Sequence, residues 1–248
     1  MNLINLLKAE FLKLRHTNYF VIHVGLPLLG GILGASCFLI TKYRFTTFLI
    51  NYFLVIALSY PFACSYACYS IFEQEIKNGC FNLLSVTKRW QVLLVKLCYL
   101  LISSLISCFL AICTFTCMVK IMRAKIIINV SYLLGMCLLL WGSNCLAYLV
   151  HSFLELKFGH NVSLVCAALE FLLAALLLTD LGNLLWPFFP SSWGGHLVRI
   201  YTMAVFNLKV VSFIPIRFAL SIIISLTLAM LIFAFCWFNQ WEGRKNEG

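Results

Sequence analysis

Charged side chains are scarce in this 248-residue sequence. They account for 10% of the residues, while hydrophobic residues account for 63%. A soluble domain contains about 25% charged and about 45–50% apolar residues, so this composition cannot supply a water-facing surface. The scarcity of charge excludes a soluble enzyme, and the high hydrophobic content excludes a disordered chain. An integral membrane protein remains.

Three kinds of chemical motif are missing as well. The sequence has no G-x-x-x-x-G-K-[ST] loop, so the chain cannot bind ATP by that route. Its 12 cysteines include no C-x-x-C pair, and most lie in apolar runs, where cysteine packs as a small, weakly polar residue. The five histidines are scattered along the sequence: His16, His23, His151, His160 and His196. We expect no metal site and no catalytic site, with an intramembrane enzyme as an alternative.

Six apolar segments are each long enough to cross a bilayer, which requires about 20 residues. They lie near residues 19–40, 46–72, 91–119, 126–153, 162–185 and 213–238. The sequence therefore predicts an all-α integral membrane protein with six transmembrane helices in a single transmembrane domain, residues 1–248. Gly30 and Gly34 in the first segment allow a close helix approach. That approach serves either subunit packing or packing within the chain.

Residues 1–18 precede the first segment and have a different pattern. Within 2–16, apolar residues recur on one face at helical spacing, with charged residues off that face. This pattern predicts an amphipathic helix in the membrane interface, or else a charged flank of the first span. Six spans place both termini on one side, and Lys and Arg are slightly more numerous on that side.

The link between the second and third segments, residues 73–90, is the most polar stretch between the two ends of the chain. Gly79 indicates a turn, and Phe81 and Leu84 recur at helical spacing before the basic Lys88. A short surface helix between two spans has a suitable shape for docking a cytoplasmic partner. The alternative is an ordinary loop.

Residues 186–212 interrupt the helical pattern before the sixth segment but remain apolar. Trp186, Pro187, Pro190 and Trp193 lie in this interruption. Irregular apolar backbone at membrane depth must be covered by protein or line a cavity, so we expect a partly re-entrant outer segment. The two tryptophans suit the headgroup level. A surface loop with interfacial aromatic residues is the alternative.

Glu170 is an acidic residue inside the fifth apolar segment. A charged residue at membrane depth costs roughly 2.5–3.5 kcal/mol and usually faces the bundle or a cavity. Asn144 and His151 in the fourth segment are its candidate partners. Glu170 either contacts the substrate, where it would attract a cationic peptide, or forms a hydrogen-bonded link between helices.

The linker and the broken outer segment, in this order, resemble the permease subunits of ABC-2 type ABC transporters. In that family the linker after the second span carries an acid, a Gly-Thr pair, a Leu pair, a basic residue and a Lys that enters the next span. This sequence has Glu75, Gly79, Leu83, Leu84, Arg89 and Lys96 at suitable spacings. It departs from the family in having Cys80 where Thr is common, and in having no proline before Lys88. Its size, six spans and outer segment look most like the lantibiotic-immunity permeases.

The resemblance implies an ABC-2 (type V exporter) permease fold and a transport subunit rather than an enzyme. The linker would then be a coupling segment that contacts a dimer of a separate ATPase through Glu73, Glu75, Gly79, Phe81, Leu83, Leu84 and Arg89. That ATPase would bind ATP and Mg. The second permease would be a related subunit or another copy of this chain.

The resemblance also implies a location and a cargo. The chain would lie in a bacterial cell membrane with both termini in the cytoplasm. It would expel a lantibiotic peptide, which gives the producing cell immunity. Its basic residues, with a net charge of +10, would meet membrane lipid rather than nucleic acid. Alternatives are an ABC-2 permease for another cargo, such as a bacitracin-like peptide, a drug or a lipid, and a channel.

Overall fold

The computed structural model describes residues 3–14, 19–41, 44–77, 88–122, 129–208 and 214–241, with backbone alone for 3, 4 and 74–77. Within these ranges the chain is helical, without strands. The α-helices are α1 (Leu3–Leu14), α2 (Leu26–Ile40), α3 (Phe45–Lys77), α4 (Arg89–Met122), α5 (Val130–Ser143), α6 (Cys145–Lys157), α7 (His160–Leu177), α8 (Pro190–Val205) and α9 (Ile216–Gln240).

Six stretches of the described chain are long and apolar enough to cross a membrane. They are Val21–Ile40, Phe45–Glu73, Arg89–Met122, Val130–Lys157, His160–Leu177 and Ile216–Gln240. The prediction of an all-helical, multi-pass membrane protein with six such segments is confirmed. The amphipathic N-terminal pattern, predicted over residues 2–16, corresponds to α1.

The first span begins with a π-helical turn, Val21–Gly25, directly before α2. Pro27 stands at the start of α2 and has no N–H to donate to the carbonyl of His23, four residues earlier. The hydroxyl of Ser107 on α4 donates to that carbonyl instead, at 2.8 Å. The proline therefore leaves the His23 carbonyl without a donor from its own helix, and Ser107 of α4 supplies one.

Helix α3 is the centre of the bundle. It packs against α6, α7 and α8, whereas α2 packs chiefly against α4. Helix α9 lies against α6 and α4. Helices α2 and α3 make little direct contact, so a groove separates them along the side of the molecule.

The fourth span is interrupted at Asn144, between α5 and α6. The Asn144 side chain donates to the carbonyl of Leu140 at 2.7 Å, so this carbonyl in the last turn of α5 has a hydrogen-bond partner. Helix α8 comes close to this break, because a Cβ on Gly194 would lie 3.2 Å from Ala57 and 3.3 Å from the Ser143 hydroxyl. The predicted single segment 126–153 is thus two helices with α8 packed beside their junction.

The fifth span ends at Leu177, earlier than the predicted 185. His196 Nε2 donates to the carbonyl of Leu177 at 2.8 Å, and Arg199 donates to that of Leu178 at 3.0 Å. A helix end leaves carbonyls without partners, and α8 provides the donors here. Two short 3₁₀ turns, Asp180–Gly182 and Trp186–Phe188, then lead to α8.

Trp186 and Trp193, which by sequence suit the headgroup level, are buried in the protein, at 2% and 0% exposure. The indole N–H of Trp193 donates to the carbonyl of Pro187 at 2.9 Å, and Trp186 stacks on His196. An indole can be buried where its N–H finds a partner. The two rings form the core under the outer segment, and Pro190 begins α8.

Candidate functional site

A buried ion pair joins three helices near the start of α4. Lys96 Nζ lies 3.2 Å from both carboxylate oxygens of Glu10 on α1. The same ammonium is 3.5 Å from the carbonyl of Ile71 and 5.7 Å from the ring centre of Phe72, both on α3. Lys96 is 2% exposed and Glu10 is 4% exposed. Helix α1 is therefore fixed to α4 and α3 by a charged contact inside the protein.

The rest of α1 has one buried side and one exposed side. Leu6 and Leu14 are buried, whereas Phe11 and Leu12 are exposed. Lys13 also lies 3.5 Å from Glu10, with a partly exposed side chain. The buried side of this helix thus carries the acid, and its outer side carries large apolar residues, as an interfacial helix requires.

The predicted coupling segment is described only at its two ends. Glu73 is half-buried on α3 and Glu75 is described by its backbone alone, while Gly79, Phe81, Leu83 and Leu84 lie outside the described residues. The Arg89 guanidinium donates to the carbonyls of Asn239 and Trp241, at 3.1 and 2.8 Å. At its α4 end, the segment is therefore tied to the last turn of α9.

Glu170 is connected to a chain of polar side chains across α7, α6 and α3. Its Oε2 lies 3.4 Å from His151 Nε2, and His151 Nδ1 lies 2.9 Å from the Ser163 hydroxyl. Ser163 is in turn 2.8 Å from the Ser65 hydroxyl. Of the two candidate partners of Glu170, the structure places His151 beside the acid, while Asn144 bonds within its own helix turn.

A second acid–histidine pair lies on the same two helices. Glu155 Oε1 is 3.0 Å from His160 Nδ1, and the Glu155 side chain is 3% exposed. His160 also lies against the ring of Tyr69, with ring centres 4.1 Å apart. Sequence reasoning missed this pair. The available signal was Gly159, whose φ of 92° reverses the chain between α6 and α7.

The order Ser163–His151–Glu170 is that of a nucleophile, a base and an orienting acid. However, Ser163 and His151 are both 0% exposed, so no substrate reaches the hydroxyl in this arrangement. Among the described residues, no group of three His, Cys, Asp or Glu side chains could hold a metal ion. The polar chain links α7, α6 and α3 by hydrogen bonds.

The glycines of the first span have different surroundings. A Cβ on Gly34 would lie 2.5 Å from the Tyr52 ring of α3, and one on Gly31 would lie 2.7 Å from the Thr114 side chain of α4. A Cβ on Gly30 would meet nothing within 4 Å. Gly31 and Gly34 thus permit close packing within the chain, whereas Gly30 faces the groove between α2 and α3.

No protein-family model matches this chain, and neither a curated protein nor a solved structure is significantly similar to it. The relation to ABC-2 permeases therefore stays a prediction based on the linker residues, the order of the segments and the size of the chain.

Proposed function

We propose that this chain is the membrane permease subunit of an ABC-2 type exporter, driven by a separate ATPase dimer that binds ATP and Mg. The observation that carries the proposal is the buried pair of Lys96 and Glu10. It ties α1 to the helices on both sides of the 73–90 segment. A coupling segment needs such a connection, because it must move more than the two helices it joins.

The route of the movement follows from the contacts. A push on the segment acts directly on the C-terminal end of α3 and the start of α4. Lys96 lies two turns into α4 and binds Glu10, so α1 moves with α4. The Arg89 contacts with Asn239 and Trp241 draw the end of α9 into the same movement. A single docking event thus shifts four helices.

The cargo in this proposal is an antimicrobial peptide of the lantibiotic class, taken from the membrane and expelled to the outside. The support for it is the likeness in size and layout to lantibiotic-immunity permeases. The second permease is a related subunit or another copy of this chain. The complex lies in the bacterial cell membrane, with both termini of this chain in the cytoplasm.

Purification of the full chain from its host in mild detergent tests the proposal. We expect a Walker-type ATPase to co-elute, together with a second small six-span protein or in complex with this chain alone. A stable complex without any ATPase would overturn the exporter assignment.

A matched pair of acid variants tests the coupling role. Glu75→Gln should reduce protection against the peptide while the amount of protein in the membrane stays constant. Asp180→Asn removes an acid near the end of α7, far along the chain from the linker, and should leave protection intact. Loss of the Glu75→Gln protein from the membrane would contradict a coupling role for Glu75.

A further inference from the structure

A groove of about 870 Å³ runs between α2 and α3 along the side of the molecule. Its walls come from the first two spans, and its floor includes Ser107, Cys108 and Ala111 of α4. Leu33 on one wall and Val55 on the other are more than 60% exposed. Because both walls belong to membrane-spanning segments, the groove opens sideways at the level of the bilayer.

The groove is long enough for an extended acyl chain. On the α2 side it extends from Ile22 to Cys37, which is about 22 Å at 1.5 Å per residue. An extended acyl chain can follow the groove over this distance.

Three hydroxyls along the groove are already paired inside the protein. The Tyr52 hydroxyl donates to the carbonyl of Ala111 at 3.0 Å, and the Tyr60 hydroxyl lies 3.0 Å from the Cys108 sulfur. The Ser59 hydroxyl donates to the carbonyl of Ile56. These side chains therefore present ring faces and methylene groups to the groove, and an apolar chain displaces no hydrogen bond when it binds.

Polar and basic residues lie at one end of the groove. Asn51 lines it there with an exposed side chain. Arg44 is exposed directly before α3, seven residues or about two helical turns before Asn51. Arginine binds phosphate oxygens through paired N–H donors, and a position just outside a spanning helix lies at the headgroup level.

We propose that the groove binds an acyl chain of an anionic phospholipid, with the phosphate toward Arg44 and Asn51. The lipid is a bound component of the protein, retained along the α2–α3 face. The site is independent of the proposed transport function, because it follows from the length of the groove, the pairing of the three hydroxyls and the position of Arg44.

Photocrosslinking of the full chain in lipid bilayers tests the site. The chain is reconstituted in vesicles that contain phosphatidylglycerol or phosphatidylcholine with a diazirine at the end of one acyl chain, and labelled peptides are identified by mass spectrometry. We expect phosphatidylglycerol to label residues 22–37 and 48–66 more strongly than Leu169 and Leu172 of α7, which are about equally exposed.

Two variants fill the groove from opposite walls. Gly30→Leu acts from α2, where a Cβ meets open space, and Val55→Phe acts from α3. Each should reduce labelling of the groove about tenfold, which corresponds to a tenfold lower affinity for the lipid. Gly142→Leu is the matched control, because Gly142 also has open space around its Cβ and lies away from the groove. Its labelling should equal that of the unaltered chain.

Arg44→Gln tests the headgroup contact and should bring phosphatidylglycerol labelling down to the level of phosphatidylcholine. Equal labelling by the two lipids in the unaltered chain would overturn the anionic headgroup. Two results together would overturn the acyl-chain site. The groove would be labelled no more strongly than the equally exposed residues of α7, and its labelling would persist in both Gly30→Leu and Val55→Phe. Protection of the groove by a second copy of the chain, detected as a crosslink between copies at Leu33, would also overturn the acyl-chain site.

Discussion

Lys96 Nζ lies 3.2 Å from both carboxylate oxygens of Glu10, and both residues are buried. The two residues are 86 positions apart in the sequence and belong to α4 and α1. A buried ammonium is costly unless a charge and hydrogen bonds compensate it, and Glu10 of α1 supplies that charge for Lys96. The contact makes a short N-terminal helix an integral part of the bundle.

Removal of either partner of this pair should destabilise the protein. We expect Lys96→Met and Glu10→Gln each to lower the free energy of unfolding by about 3–5 kcal/mol, because the remaining group stays buried without its counter-charge. Unfolding of the purified chain in detergent micelles, followed by circular dichroism, measures the change.

The double variant Lys96→Met with Glu10→Met should recover much of that loss, since neither buried charge remains. Lys13→Met is the control: Lys13 also contacts Glu10 but is partly exposed, so its removal should cost less than about 1 kcal/mol. If the two single losses simply add in the double variant, the pair does not stabilise the bundle as described.

Ser163 holds the polar chain of α3, α6 and α7 together, because it contacts both His151 and Ser65. Ser163→Ala should lower the free energy of unfolding by about 1–3 kcal/mol, the cost of leaving buried polar partners unsatisfied. Ser221→Ala is a matched control, since the exposed Ser221 bonds only to the carbonyl of Phe218 three residues earlier. Equal effects of the two substitutions in the same unfolding assay would show that the chain across the helices is not stabilising.

The six spans can be predicted from the sequence because a bilayer demands long apolar helices. The sequence does not show which apolar side chains face protein, since lipid and the protein interior favour the same residues. Leu29 on α2 is 57% exposed and Leu100 on α4 is 0% exposed, although both lie in apolar runs. For the same reason, the sequence does not show that protein covers Trp186 and Trp193, because this depends on the packing of α8.

Polar contacts between distant segments are equally difficult to predict from the sequence. Lys96 stands out in the sequence as a base inside an apolar segment, but its partner Glu10 resembles the other charges of an amphipathic helix. His151 could be named as a partner of Glu170 from its position in the preceding span. The pairing of Glu155 with His160 depends on the reversal at Gly159, which helical periodicity does not reveal.

The stability of the α7–α8 junction should depend on pH through His196. Burial lowers the pKa of His196 below its usual value, and the nearby Arg199 adds to this, while the hydrogen bond to the Leu177 carbonyl opposes it. The unfolded chain therefore binds a proton near pH 6.5 before the folded chain does. The stability that His196 contributes is present above that pH and is lost as the pH falls.

His196→Gln removes the titrating group and keeps an N–H donor for the Leu177 carbonyl. Between pH 8 and pH 5, the unaltered chain should lose more thermal stability in detergent than this variant does. The loss of each protein is measured from the thermal stability of that same protein at pH 8, so that any difference between the two proteins at pH 8 cancels. Identical losses would mean that His196 is not held neutral by its surroundings.

Arg89 can serve either the end of α9 or a contact with the proposed ATPase, and one substitution separates the two roles. Its guanidinium donates to the carbonyls of Asn239 and Trp241, so Arg89→Ala should increase hydrogen exchange in residues 236–241 and cost about 1 kcal/mol. Arg89→Lys should restore only part of the protection, because a lysine lacks the planar fork that reaches two carbonyls. Lys88→Ala, at the exposed neighbouring position, should leave the exchange of α9 unchanged. A variant Arg89→Ala that keeps α9 protected but no longer co-purifies with the ATPase would assign Arg89 to the partner instead.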